Sequence, residues 1–207
     1  MNVYEAIYSR RDIRKFRPGP VPDDVLFRIL DAAHHAGSVG FMQPWNFIVI
    51  RDPEFRRQVK VLFEAENSRA VENYSGERRE LYRSFKLEGI EESALNLCVT
   101  CDRTRGGKVL GRSTVLETDL FSTCLAVQNL WLAARAEGVG IGWVSILDHA
   151  ILAELLGLPG HVVPVAYLAV GYPEEFPEKP MLESAGWRDR LPLEDLVFYE
   201  RYGRRSR

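Results

Sequence analysis

The chain has 207 residues, with 27 Lys plus Arg against 29 Asp plus Glu, a formal charge of -2. That length suits one domain, or one domain with an extension, around a full hydrophobic core, and the near balance of charge gives no global case for nucleic acid or an anionic membrane. No window approaches the roughly 20 apolar residues of a membrane span, Glu5, Arg10 and Arg11 do not read as a signal peptide, and an odd count of three cysteines points to a reduced, cytoplasmic setting.

Residues 2–9 read as a short helix that delivers Arg10. Pro22-Asp23-Asp24 opens a second helix, with Val25, Leu26, Ile29, Leu30 and Ala33 on one face. A loop with Gly37, Ser38, Gly40 and Gln43 leads into a buried strand, Trp45–Ile50. Asp52-Pro53-Glu54 starts another helix, and residues 64–90 read as helical pieces and a mobile lid. A strand over 96–101 carries Cys98 and Cys101. Their spacing matches a redox pair, but residues three apart on a strand face opposite sides, so both read as packed thiols. The clearest helix covers 117–137, with Leu120, Cys124, Val127, Trp131 and Ala134 at steps of four and three, and Gly138 as its stop. Phe121, Leu125, Leu130 and Leu132 make it apolar over more than one stripe, as a central or dimer-buried helix would be. A strand over 140–146, a helix over 148–156 and a strand Val162–Gly171 follow, an alternation loose enough to give a mixed sheet. Residues 172–207, rich in Pro, Trp, Tyr and charge, read as an arm with a basic, frayed end at 201–207.

Three segments carry candidate chemistry. Arg10, Arg11 and Arg14 lie within five residues, and guanidinium groups so spaced suit a phosphate or a solvated turn. Arg188 and Arg190 form a second, late supply. Ser38 and Gln43 offer hydrogen bonds, Trp45 offers a ring face, and Gly140, Gly142 and Trp143 again combine open backbone with an aromatic. No dinucleotide fingerprint, nucleophile elbow or credible metal set occurs, and His34 and His35 read as surface or loop-packing residues.

Taken in order, Arg10-Arg11-Asp12-Ile13-Arg14, the 38–45 loop, residues 138–145 and the Arg188/Arg190 arm resemble the FMN-binding segments of the nitroreductase superfamily over nearly the whole chain. Residues 38–45, Lys86-Leu87-Glu88-Gly89-Ile90, residues 128–138 and Gly142-Trp143-Val144-Ser145 are similar, more narrowly, to its branch that makes the benzimidazole base of vitamin B12. Gly37 departs from that pattern, where proline is expected. The resemblance implies an α+β sandwich in an intertwined homodimer, a central mixed sheet flanked by helices, arms embracing the partner, and two FMN sites between subunits. It implies that reduced FMN, supplied by a separate flavin reductase, is a substrate that O2 converts to 5,6-dimethylbenzimidazole and erythrose 4-phosphate, without a metal. Arg10, Arg11, Arg14 and Arg188 or Arg190 would then hold the phosphate; Ser38, Gln43, Gly140, Gly142 and Trp143 would line the flavin; Asp12 and Ser145 would be catalytic. Arginines pointing at Asp12 would lower its pKa and weaken it as a base. An NAD(P)H-dependent nitroreductase or flavin reductase, and a non-catalytic FMN carrier, remain alternatives.

Overall fold

A computed structural model describes residues 1–205. The chain divides into two units, Met1–Phe176 and Pro177–Arg207. The first contains helices α1 (Val3–Ser9), α2 (Asp23–His34), α3 (Pro53–Val71), α4 (Gly76–Ser84), α5 (Thr118–Ala136) and α6 (His149–Leu155). Its strands are β1 (Trp45–Ile50), β2 (Leu95–Asp102), β3 (Gly140–Trp143) and β4 (Val162–Gly171), in the order β1-β2-β4-β3.

Every pair of neighbouring strands in this sheet is antiparallel. The mixed character expected from the sequence reduces to one isolated parallel bridge, Asp12 to Ile141. β2 is buried almost throughout and sits in the middle, as a continuous apolar strand should. Its side chains alternate: Leu95, Leu97 and Val99 pack under α2 and α5, with Leu130 and Leu168, whereas Cys98 packs with Val59, Phe63, Leu152 and Tyr167 on the other face. The sheet is therefore sandwiched between helices. Each such leucine, fully buried, would cost about 2–5 kcal/mol to truncate to alanine.

Local signals account for the helix ends. Asn2 and Glu5 form a reciprocal capping box at α1. Asp52 caps α3 ahead of Pro53, and Asp148 caps α6. α5 buries Asp119, Ser122, Thr123, Ala126, Val127, Leu130 and Ala134; of the expected stripe, Val127 and Ala134 are buried and Leu120 and Trp131 half-buried. Cys124, expected to pack on the helix, is exposed, and Phe121 and Leu125 remain 58% and 53% exposed.

Segment 64–90 holds helical pieces, as expected: the end of α3, then α4, with residues 85–90 outside any helix. Its middle is tied down by Tyr82, which stacks on Tyr74 and donates to Asn67 at 2.7 Å. The strand expected over 140–146 ends at Trp143. The second unit, taken by itself, contains α7 (Met181–Ser184) and a short 3₁₀ turn, Leu193–Asp195. Its basic end is not frayed as far as Arg205, which donates to Asp195 and to the Glu194 carbonyl; residues 206 and 207 lie outside the described residues.

Candidate functional site

Past α1 the chain becomes extended and runs beside β3. Ile13 N donates to Ile141 O at 2.9 Å, and Arg17 N to Tyr172 O at 2.8 Å. Ile13 can lie so close because residues 140 and 142 are glycines. A Cβ on Gly140 would stand 3.0 Å from the Ile13 side chain, and one on Gly142 would stand 2.1 Å from Ile13 O. The space these glycines open is thus taken by the protein's own chain.

This docking brings Asp12 to the N–H and Arg14 to the C=O of one residue, Trp143. Trp143 N donates to Asp12 Oδ1 at 2.8 Å, while Arg14 Nη2 donates to Trp143 O at 2.5 Å. The same Nη2 stands 2.5 Å from Asp12 Oδ2. The Arg14 side chain is 12% exposed and that of Asp12 39%. Arg14 does point at Asp12, yet the Asp12 pKa lies above the ordinary carboxylate value. Desolvation by the protein packed around it outweighs the Arg14 charge and the Trp143 hydrogen bond. Because 39% of the Asp12 side chain still meets solvent, partial rather than complete loss of water is the cause. The expected weakening of this base by its arginines is therefore reversed. Arg14 is shifted the other way, its pKa lowered by the same burial against the raising effect of Asp12 and Glu88.

The other arginines are engaged too. Arg11 Nη1 donates to the carbonyls of Tyr8 and Arg10, and the Arg10 guanidinium lies 4.5 Å from the centre of the Trp131 ring. Trp131 donates to Arg11 O at 3.3 Å and stands 6.2 Å from Trp143. Within the cluster, Arg14 Nε and Nη1 are buried donors without an acceptor. Ser145 lies two residues beyond β3, exposed.

Ser38 and Gln43 lie elsewhere. Ser38 Oγ accepts from Gln43 N at 3.2 Å, and Val39 N donates to Ser122 in the first turns of α5. Their loop enters β1, whereas the Asp12 segment borders β3, and these are opposite edges of the sheet. Three strand spacings, about 14 Å, lie between them. A groove of about 620 Å³ opens on the β1 side, lined by Gln43, Trp45, His34, Asp31, Arg105 and apolar neighbours. Trp45 Nε1 donates to His34 Nδ1 at 3.1 Å, consistent with His34 as a loop-packing residue. Arg188 and Arg190, in the second unit, are exposed. Two participants went unread in the sequence: Trp131, hidden among the apolar residues of its helix, and Glu88, a buried carboxylate whose motif alone was noticed. Cys98 and Cys101 are free, buried on β2, and burial pushes the Cys98 thiol up to about 12, far from a reactive thiolate. Among the described residues no cluster of three His, Cys, Asp or Glu could hold a metal, and no helix is long and apolar enough to cross a membrane.

Residues 7–172 match the model of the Nitroreductase family. The chain belongs to this family. It is 41% identical over 190 residues to 5,6-dimethylbenzimidazole synthase of Rhodospirillum rubrum, covering 91% of this chain and 90% of that protein. The enzyme of the same name from Rhodobacter capsulatus is 40% identical, covering 92% of each chain. The structure of iodotyrosine deiodinase bound to FMN and 3-iodo-L-tyrosine superposes with a TM-score of 0.76 at 23% identity, over 97% of this chain and 100% of that one. At that identity the likeness establishes the fold alone.

Proposed function

We propose that this protein is a 5,6-dimethylbenzimidazole synthase, which fragments reduced FMN with O2 into 5,6-dimethylbenzimidazole and erythrose 4-phosphate. One observation carries the reading beyond the family: an acidic residue, Asp12, stands inside an arginine segment, held by Trp143 N and Arg14 yet open to solvent on one side, and burial raises its pKa. A carboxylate of higher pKa is a stronger proton acceptor, and breaking C–C and C–N bonds of a ribityl chain requires proton transfer. The relatives named for this reaction, alike over nine-tenths of the chain, support the same conclusion.

The residues present fit a flavin mononucleotide. The two buried, acceptor-less donors of Arg14 suit an anionic oxygen. Arg14, with Arg10 and Arg11, holds the phosphate; Ser38, Gln43 and the Trp143 side chain line the ring system, while Gly140 and Gly142, whose open side Ile13 fills, do not. Asp12 takes the proton and Ser145 orients the reacting edge by one hydrogen bond. Reduced FMN comes from a separate flavin reductase. The two halves of this set occupy opposite edges of one sheet, so a complete site calls for a homodimer in which the partner's 38–43 loop faces the Asp12 segment. The exposed Phe121 and Leu125 of α5 are suited to that contact. Mixing the protein with reduced FMN and air, then separating the products, tests the reading. Dimethylbenzimidazole and a four-carbon sugar phosphate are expected; recovery of all flavin as FMN would leave a reductase or a carrier.

A further inference from the structure

The loop bearing Gln43 is held in a conformation that its own residues disfavour. Gly40, Phe41 and Gln43 have φ of 56°, 56° and 46°, the left-handed region, where non-glycine residues persist only if the surroundings hold them. The holding group is Arg105. Its Nη1 donates to Gln43 O at 3.0 Å and to Trp45 O at 2.8 Å, and its Nη2 to Asn46 Oδ1 at 2.5 Å. Asn46 is fixed in turn by donating to Thr100 at 3.1 Å. The backing is dense: a Cβ on Gly40 would meet Leu110 O at 2.5 Å, and one on Gly106 would meet the Val109 side chain at 2.9 Å and Met42 at 3.6 Å. The segment that supplies Arg105, Val109 and Leu110 is itself anchored, since Arg103 and Arg112 both pair with Asp119, which is 1% exposed.

We propose that Arg105 is a positioning residue for the flavin: it acts through Gln43, fixing the left-handed turn that sets where this side chain stands. The inference rests on the flavin-site reading above. A planar fork with several fixed donors can bridge one acceptor on the loop and two on the start of β1, which a point-like ammonium group cannot match. Arg105 also borders the groove beside Gln43, so the competing role is a direct electrostatic one, in which Arg105 attracts the phosphate. Asp102, 3.7 Å away, and Asp31, on the groove wall, are the acidic groups that face it.

Lysine at this position separates the two roles, because it keeps the charge and loses the fork. The experiment compares the parent with Arg105→Lys and Asn46→Ala. It measures amide hydrogen exchange over residues 38–46 in flavin-free protein, and the affinities for oxidised FMN and for riboflavin. Arg105→Lys should speed exchange in the loop and weaken FMN and riboflavin alike, by roughly 10-fold or more for the loss of charge-assisted bonds. Asn46→Ala, a gentler change, should do both to a smaller degree. Parental exchange and affinity in Arg105→Lys would overturn the proposal, as would a loss confined to FMN when Arg105 is replaced by alanine. If the parent bound neither flavin while Arg105→Lys still loosened the loop, the flavin-site reading would fall and the hold of Arg105 on Gln43 would stand.

Discussion

Replacing Asp12 by asparagine should separate its chemical role from its structural one. Asparagine keeps an Oδ1 acceptor for Trp143 N but places an amide NH2, itself a donor, where Oδ2 accepts from Arg14, so the Trp143 bond persists in uncharged form while Arg14 keeps only the Trp143 carbonyl. Weakening the first bond costs about 1 kcal/mol, and losing the charge-assisted one costs about 1.5–3 kcal/mol before the exposure of the carboxylate is discounted. Against this stands the raised pKa, which means that the fold favours the uncharged carboxyl over the charged one. The open side of Asp12 tempers both effects, so Asp12→Asn should lose about 1–2 kcal/mol, or about 2–8 °C in Tm for a chain of this size. Alanine removes both acceptors, leaving Trp143 N unpaired and Arg14 without its counter-charge, at about 1–3 kcal/mol each, or about 4–24 °C together. The pH dependence has a definite sign. Because the folded pKa is raised, the Asp12 contribution to stability is fully present below the ordinary value of 3.8 and is lost as pH rises through the folded value. Asp12→Asn lacks that loss, so its stability relative to the parent should grow over that interval and then level off. Product formation from reduced FMN and O2 should meanwhile fall by about 10²–10⁴-fold with flavin bound. Calorimetry across pH and a product assay at saturating flavin measure the two sides. A large loss of Tm in Asp12→Asn at neutral pH, or product at the parental rate, would refute the reasoning.

Other consequences can be measured as directly. Gly142→Ala places a Cβ 2.1 Å from Ile13 O, so the Asp12 segment must lift off β3; urea unfolding should show a loss of about 1–3 kcal/mol or more. Arg14→Ala should weaken FMN by about 10- to 100-fold and riboflavin much less, read by fluorescence quenching; equal losses would place the phosphate elsewhere. Light scattering at micromolar concentration should show a dimer, whose interface typically exceeds about 2,000 Å². Leu125→Asp, on the exposed face of α5, should yield a monomer that no longer binds FMN.

Much of the fold was legible because its signals were local. Trp45–Ile50 and Val162–Gly171 were read to the residue, since each is an apolar run with abrupt ends. α5 was placed correctly but rotated wrongly. A helix apolar all round has no periodicity to fix its phase, and its core face includes Ser122 and Thr123, whose hydroxyls are satisfied by carbonyls one turn back. The glycines at 140 and 142 were read as room for a ligand; the sequence alone could not reveal that Ile13, some 130 positions earlier, takes that room. The direction of the Asp12 pKa shift was missed for a similar reason. Neighbouring arginines are visible in the sequence, whereas desolvation depends on packing that only the fold supplies.

α5 links these observations. Near its start, Ser122 receives the Val39 N–H and so fixes the loop that bears Ser38 and Gln43. Nine residues on, about 14 Å along the axis, Trp131 receives the Arg10 guanidinium and bonds the Arg11 carbonyl. Arg135 then holds Ser9. One rigid helix thus anchors both halves of the proposed site, yet they border opposite edges of the sheet. The same helix exposes Phe121 and Leu125. If that face meets its counterpart on a second copy, the contact that forms the dimer also fixes the distance from one protomer's Gln43 loop to its partner's Asp12 segment. Flavin binding and dimer formation would then be a single geometric event, which is why a charge at Leu125, itself no proposed flavin contact, is expected to abolish both.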